Sequence, residues 1–450
     1  MARVFHLGLD YGTSTSKLIL RDYFAPGAEK AYVVENQGDY RIPSSVAFDG
    51  RKFYFGKTDN DFVGTQKVVW YHSIKMRVAQ EIKGNAHKYY YGSLIDPPPK
   101  FTATDLAILT VWYLISKGNQ NICRLCSEDT DIRMTVTMGI PMHFYTDNEL
   151  RSTFFNIAWC SYWLFKQIGL LEDSIPYEEA KMCTDLAKSK FHSITPPSRE
   201  VIRDWLRTEA EAALFWTFFS PSVSEGLYAC IDVSAGTTDA CIFRIVETFN
   251  TAIQRWIKER ISFFGDNKYA IGMDAIDDAL FVFLKQDNLS SISLRGHEND
   301  ILKEYKESKD CLIKIYDNIY DVYSRAFQQA YSKQKGETVW KKYDLFLIGG
   351  GSLIEDLRER VREHPYVNKS HWPLHEQYLD IRNLEIPQDL KTLSGQPIRK
   401  DELPFILVAY GLSHQKGSAP EIDIPDEIEP IPAPSLPIKC INHEDKYSEK

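Results

Sequence analysis

No run of apolar residues in this chain approaches the ~18 that a membrane-spanning helix needs. The first residues lead straight into an apolar strand and carry no signal-peptide architecture. Neither a Walker-type phosphate loop nor a Gly-x-Gly-x-x-Gly dinucleotide fingerprint occurs. Cysteine is sparse: there are eight in 450 residues, and Cys230 and Cys241 fall inside apolar stretches, as buried thiols of a reducing compartment do. The cytoplasm is the expected location. An excess of basic residues is also missing, and a net charge of −9 argues against a dedicated nucleic-acid surface. Cys123-x-x-Cys126 and Cys440-x-x-His443 together supply four candidate zinc ligands, but they lie far apart in the chain and the second pair falls in a tail. At 44% hydrophobic and 26% charged, the composition is ordinary for a globular protein, and the length allows two or more domains.

What the chain does contain is a repeated piece of grammar. In HLGLDYGTSTSKLIL, from His6, an apolar strand ends at Asp10. It turns through Gly12, Thr13, Ser14 and further hydroxyls, then becomes apolar again at Leu18. One polar turn of this kind needs no ligand. About half the chain later, YACIDVSAGTTDACIF repeats the pattern with Asp232, the small turn Ser234, Ala235, Gly236, Thr237 and Thr238, and a second apolar strand. A repeat on this scale suggests two related domains facing one another, each presenting a turn and a carboxylate. Small residues let backbone N–H groups close on an anion. Carboxylates beside a phosphate repel it unless a hard cation such as Mg²⁺ lies between, usually through its waters. Asp10 and Asp232 are therefore the candidate metal residues. A third unit, YDLFLIGGGSLIEDLRERV, reads as strand, triple glycine (Gly349, Gly350, Gly351) with Ser352, then helix, and bare glycine backbone ahead of a helix is where a flat or anionic ligand can lie.

Between these units, strands are expected at Ser45–Phe48, Lys52–Phe55 and Asp131–Pro141, and helices near Thr104–Ser116 and Asp147–Ile168. The run SREVIRDWLRTEAEAALFWTFF reads as one helix capped by Ser198, with glutamates near its centre. Helices are expected again over GMDAIDDALFVFL and from Glu298 to Lys333. The mixture indicates α/β layers. From Ser418 the chain is acidic and proline-rich with isolated isoleucines, and is expected to be a disordered or extended tail.

Taken in order, these motifs resemble the nucleotide-binding domain of the seventy-kilodalton heat-shock chaperones, within the actin and sugar-kinase superfamily. IPSSVAF, SIKMRVA, VTMGIPMHF, TEAEAALF, IDVSAGTTD, YAIGMDAID, LFLIGGGSLI and FILVAYGLS carry the resemblance over roughly residues 4 to 415. It implies an actin-like ATPase of two lobes, residues 1–218 and 219–400, each with a ribonuclease-H-like mixed sheet. A connecting helix would cover residues 401–417, and the tail residues 418–450. It places a phosphate-contacting lysine at Lys75 and the catalytic glutamate at Glu209, with Glu211 as the competing register. Phosphate and nucleoside contacts fall on Gly12, Thr13, Ser14, Ser234 to Thr238, Gly272, Lys309 and Gly349 to Ser352. The chain departs from the family at Ser234 and Ala235, where glycines are usual, and at Leu353, where an arginine stacks on adenine. The segment from Leu280 to Tyr343 is also shortened, which implies looser base selection.

The resemblance implies ATP/ADP and Mg²⁺ as ligands and a slowly hydrolysing switch. Asp10, Lys75, Glu209, Asp232 and Thr237 would do the chemistry, by positioning and electrostatics. No β-sandwich pattern for holding peptide follows the ATPase motifs, so action through a protein partner is expected, with Ile422, Ile424, Ile428 and Ile431 as spaced anchors. The superfamily also hosts filament-forming ATPases, small-molecule kinases and scaffolds without turnover, and fold analogy alone does not separate them.

Overall fold

The computed structural model describes residues 3–25, 29–36, 38–62, 68–84, 96–126, 131–251, 255–269, 271–284, 294, 296–333, 340, 343–365, 378–415 and 421–423. The chain folds into mixed α/β layers.

The first sheet begins with an antiparallel meander of β1 (Arg3–Asp10), β2 (Thr15–Asp22) and β3 (Lys30–Val33). The short β4 (Ile42–Pro43) pairs with the start of β2. Strands β5 (Val46–Phe48), β6 (Lys52–Phe55) and β7 (Val69–Tyr71) form a separate small sheet. Helix α1 (Ile74–Lys83) follows, and α2 (Ala103–Leu125) leads into β8 (Ile132–Ile140), which lies parallel to β1. Helices α3 (Met142–Thr146), α4 (Asn148–Gln167) and α5 (Tyr177–His192) complete this part, with β9 (Ser174–Pro176) on the edge of the small sheet. Strand alternation divides the side chains. Phe5, Leu7, Leu9, Leu18 and Leu20 pack into the core under α2 and α4, while Ile19, Ala31 and Val33 belong to a second core on the other face.

The run expected as one helix after Ser198 is broken. Helix α6 (Arg199–Trp205) stops, β10 (Leu206–Thr208) pairs in parallel with Met138–Ile140 of β8, and α7 (Glu209–Phe219) then starts. Sheet hydrogen bonds to β8 outweigh the helical propensity of three residues. Thr208 then opens α7 with a capping box: its Oγ1 accepts the Glu211 N–H, and the Glu211 carboxylate accepts the Thr208 N–H.

The second sheet repeats the first. Strand β11 (Gly226–Val233) forms a hairpin with β12 (Thr238–Asn250), and β13 (Arg255–Tyr269) continues the meander antiparallel to β12. Helices α8 (Met273–Leu284), α9 (Glu298–Glu304) and α10 (Ser308–Lys333) precede β14 (Asp344–Ile348), which is parallel to β11 as β8 is to β1. The helical stretch expected over Glu298–Lys333 is thus two helices. A 3₁₀ turn at Gly350–Leu353 and α11 (Glu355–Val361) follow.

The chain then crosses back. Strand β15 (Leu390–Thr392) joins the first sheet beside β3, ahead of the boundary at 400 that the sequence suggests, and Arg21, almost fully buried, holds Asp389 at 2.6 Å. Helix α12 (Leu403–Leu412) packs on β1, β2 and α7, and its core unites Ile19 and Val33 of the first sheet with Cys230 and Ile348 of the second. The crossing is so close that a β-carbon at Gly411 would run into the Ala212 backbone. Glu421–Asp423 is also ordered, as β16, parallel to Arg260–Ser262 of β13. At that point the tail, expected to be disordered or extended, is an extended strand. Ile422 sits in this strand because the edge of β13 offers unpaired backbone groups. Ile424, Ile428, Ile431, Cys440 and His443 lie outside the described residues. Among the described residues no helix is long and apolar enough to cross a membrane.

Candidate functional site

Both hairpin turns open on one cleft of about 410 Å³. Its walls include Asp10, Gly12, Thr13 and Ser14 from the first turn and Asp232, Ser234, Ala235 and Thr237 from the second. Lys75, Glu209, Gly349 and Gly350 complete the set of expected residues that reach it. The turns approach each other directly, since a β-carbon on Gly236 would lie 3.2 Å from Thr13 Cγ2.

The remaining expected residues stand behind the surface. Thr238 Oγ1 donates to the Ile271 carbonyl at 2.7 Å. Gly272 lets the second turn sit on the start of α8, where Met273 and Asp274 N–H groups donate to the Ser234 and Ala235 carbonyls at 2.9 and 2.8 Å. Gly351 packs on Val233, and the Ser352 hydroxyl donates to the Gly349 carbonyl. Gly349, at φ +75°, must also be glycine: a β-carbon would collide with Asp232 Oδ1. Lys309 does not line this cleft. It pairs with Asp356 at 2.8 Å in a neighbouring pocket of about 370 Å³, shared with Lys303, Lys306 and Glu355.

Two elements set the centre of the cleft. Lys75 is the second residue of α1, whose N-cap Ser73 is held in the left-handed region at φ 52° without a side-chain cap. Glu209 is the first residue of α7. Their side chains form a hydrogen-bonded ion pair, 3% and 9% exposed. Glu211 is consumed by the cap of the same helix, so Glu209 is the glutamate the fold presents to the cleft. Burial pushes the Glu209 carboxyl above its usual range; Lys75 opposes the shift and Asp10 adds to it. Burial likewise pushes Asp232 up to about 7, with Glu209 adding to the shift and the Ser234 hydroxyl, 2.9 Å from Oδ1, opposing it.

Several lining residues were not singled out from the sequence. Lys17 reaches back over the first turn, its Nζ 3.5 Å from Asp10 Oδ2 and donating to the Thr15 carbonyl at 3.0 Å. The sequence alone does not mark it: the register that pairs Asp10 with position 17, and so puts both side chains on one face, is set by the folded hairpin. At the far end stand Gly296, Glu298, Asn299 and Ile354, beside Leu353, which the sequence already marks as a departure from the chaperone pattern. Asn299 ties α9 to the glycine loop by donating to the Leu353 carbonyl at 2.7 Å and accepting the Glu355 N–H at 3.1 Å. Glu298 is 6% exposed; its Oε2 accepts the Gly296 N–H, and its buried Oε1 has no hydrogen-bond partner among the described residues. Tyr40, Arg41, Arg399 and Glu402 line the cleft on its remaining side. Among the described residues no three His, Cys, Asp or Glu side chains converge as a metal cage.

The chain matches no protein-family model, and no curated protein is similar to it at a significant level.

Proposed function

We propose that the protein binds ATP and ADP with Mg²⁺ in the cleft between its two hairpins, hydrolyses ATP slowly, and acts as a switch read by a protein partner. The observation that carries this reading is the convergence of Asp10, Asp232 and the Lys75–Glu209 pair on one cleft walled by two hydroxyl-rich turns. In this reading the two sheets are the halves of an actin-like ATPase like that of the seventy-kilodalton chaperones, and α7 and α12 connect them. The repeated strand order and the shared α7–α12 core support it.

Each residue then has a physical task. Backbone and hydroxyl groups of Thr13, Ser14 and Thr237 take phosphate oxygens. Asp10 and Asp232 suit a hydrated Mg²⁺ held through its waters. Bound there, the metal supplies charge neutralisation for the phosphates. Lys75 stabilises charge on the terminal phosphate, and Glu209, its carboxyl made more basic by burial, orients or deprotonates the attacking water. At the far end, Leu353 replaces a cation that would face a base, a contact of roughly 0.5–2 kcal/mol, so GTP competes with ATP within a hundredfold. The described cysteines are free thiols, in keeping with a cytoplasmic protein. Single-turnover hydrolysis of radiolabelled ATP tests the reading. Phosphate release with Mg²⁺ that vanishes on chelation supports it, and release equal to the protein-free control refutes hydrolysis.

A further inference from the structure

We propose that Lys17 is a tethered counter-ion that holds the metal's place in the ligand-free cleft and gives it up to Mg²⁺ when the phosphates enter. The inference rests on the nucleotide reading above and adds to it how the site is kept closed to bare metal.

Three observations carry it. The Lys17 ammonium lies over the turn itself, 3.5 Å from Asp10 Oδ2 and 3.5 Å from where a β-carbon on Gly12 would stand, with its side chain only 13% exposed. It therefore occupies the mouth of the first anion-binding turn, beside the carboxylate assigned to the metal. Its charge also reaches the other two acids: against the burial that raises Glu209 and Asp232, Lys17 acts on both to favour the charged form. Finally, the other acids of the centre have resident partners of their own, Lys75 on Glu209 and the Ser234 hydroxyl on Asp232. Among the described residues, Lys17 is the cation that pairs with Asp10.

Cations this close repel, so a divalent ion cannot share Asp10 with the ammonium at low cost. Mg²⁺ alone must displace Lys17 and leave it without an anion. When a polyphosphate arrives, the displaced ammonium finds phosphate oxygens within reach of the same turn, and the exchange becomes favourable. Metal and nucleotide are then coupled through one lysine, and linkage makes that coupling reciprocal.

The test titrates MgCl₂ alone, ADP alone and ADP with Mg²⁺ into the full chain by calorimetry, using wild type, Lys17→Met and Lys17→Gln. The thermal transition of each protein reports its folding, and Lys17→Gln serves if the methionine variant does not fold. Removing the ammonium should tighten binding of Mg²⁺ alone at least about tenfold and weaken metal-free ADP by a similar factor. These changes have opposite signs, which general damage to the fold does not produce, and Lys17→Arg should stay near wild type. Unchanged affinity for Mg²⁺ alone in the neutral variants, with MgADP still binding the wild type, overturns the exchange. Failure of MgADP to bind the wild type overturns the nucleotide reading and the exchange with it.

Discussion

The two hairpins share a backbone and differ in what stands opposite their aspartates. In the first, the residue registered against Asp10 is Lys17; in the second, the residue against Asp232 is Asp239. Asp10 therefore meets a cation, while Asp232 meets a hydroxyl and the field of two further carboxylates, and is held near pH 7. A duplicated fold keeps the strand order, because the sheet and its hydrogen bonds demand it. Side chains at the turn are free to diverge, so two carboxylates in matching places acquire different surroundings. On the proposed reading, the second hairpin supplies a carboxylate that burial holds above its usual range until ligand and metal arrive.

The largest expected effect falls on the residue that feels both hairpins. Glu209→Gln should slow ATP hydrolysis by roughly 10²–10³, or ~2.7–4 kcal/mol, with nucleotide affinity nearly kept, as single-turnover and binding assays would show. An unchanged rate would move the chemistry away from the centre between the turns.

Stability should then separate the hairpins by sign. Asp10→Asn leaves Lys17 unpaired in a mostly buried place and should cost on the order of 2–3 kcal/mol, somewhat below the ~3–5 of a fully buried pair. Asp232→Asn should instead stabilise the ligand-free protein at neutral pH. A carboxyl raised to about 7 contributes stability that is present below its unfolded value of ~3.9 and lost as pH rises through 7. The advantage of Asp232→Asn over wild type should thus grow from about pH 4 to pH 7 and stay flat above. Comparing variant with parent at each pH cancels the buried histidines, which act the other way. His6 is lowered to about 3 by burial first of all, so its contribution is lost as pH falls below ~6.5. Chemical denaturation at four pH values would show both trends, and equal signs for the two aspartates would end the comparison.

Asp239→Lys sharpens it by giving the second hairpin the partner of the first. The Asp232 titration, followed by carboxyl NMR, should move from about 7 toward the usual carboxylate range near ~4. The smallest effect is expected for Ser234→Ala. Loss of one hydrogen bond, worth roughly 0.5–1.5 kcal/mol, should raise the Asp232 titration by at most about one pH unit.

Much of this was legible in the chain. The repeated turn around Asp10 and Asp232 and the strand–glycine–helix unit at Gly349 could be read from short-range pattern, because each depends on local backbone and a few small residues; Lys75 and Glu209 were singled out by the family resemblance. Lys17 was not, because its role depends on the hairpin register and not on its neighbours in sequence. The break at Leu206–Thr208 was hidden inside an unbroken helical period, since its cause is pairing with β8, more than sixty residues away. Its trace was visible nonetheless: Thr208 and Glu211 spell a capping box, which marks a helix start within the run. Strands β15 and β16 are three residues each, too short to carry a period, and exist only because other strands offer them an edge.

The central claim is that the two aspartates face one nucleotide–metal site. Its most direct test is calorimetric titration of MgATP into the wild-type chain and into the Asp10→Asn/Asp232→Asn double variant. The account predicts saturable binding to the wild type well below a Kd of about 1 mM, the level that corresponds to ~4.1 kcal/mol, and at least a hundredfold weaker binding to the double variant. No heat with the wild type at millimolar MgATP, or superimposable isotherms for the two proteins, would contradict it.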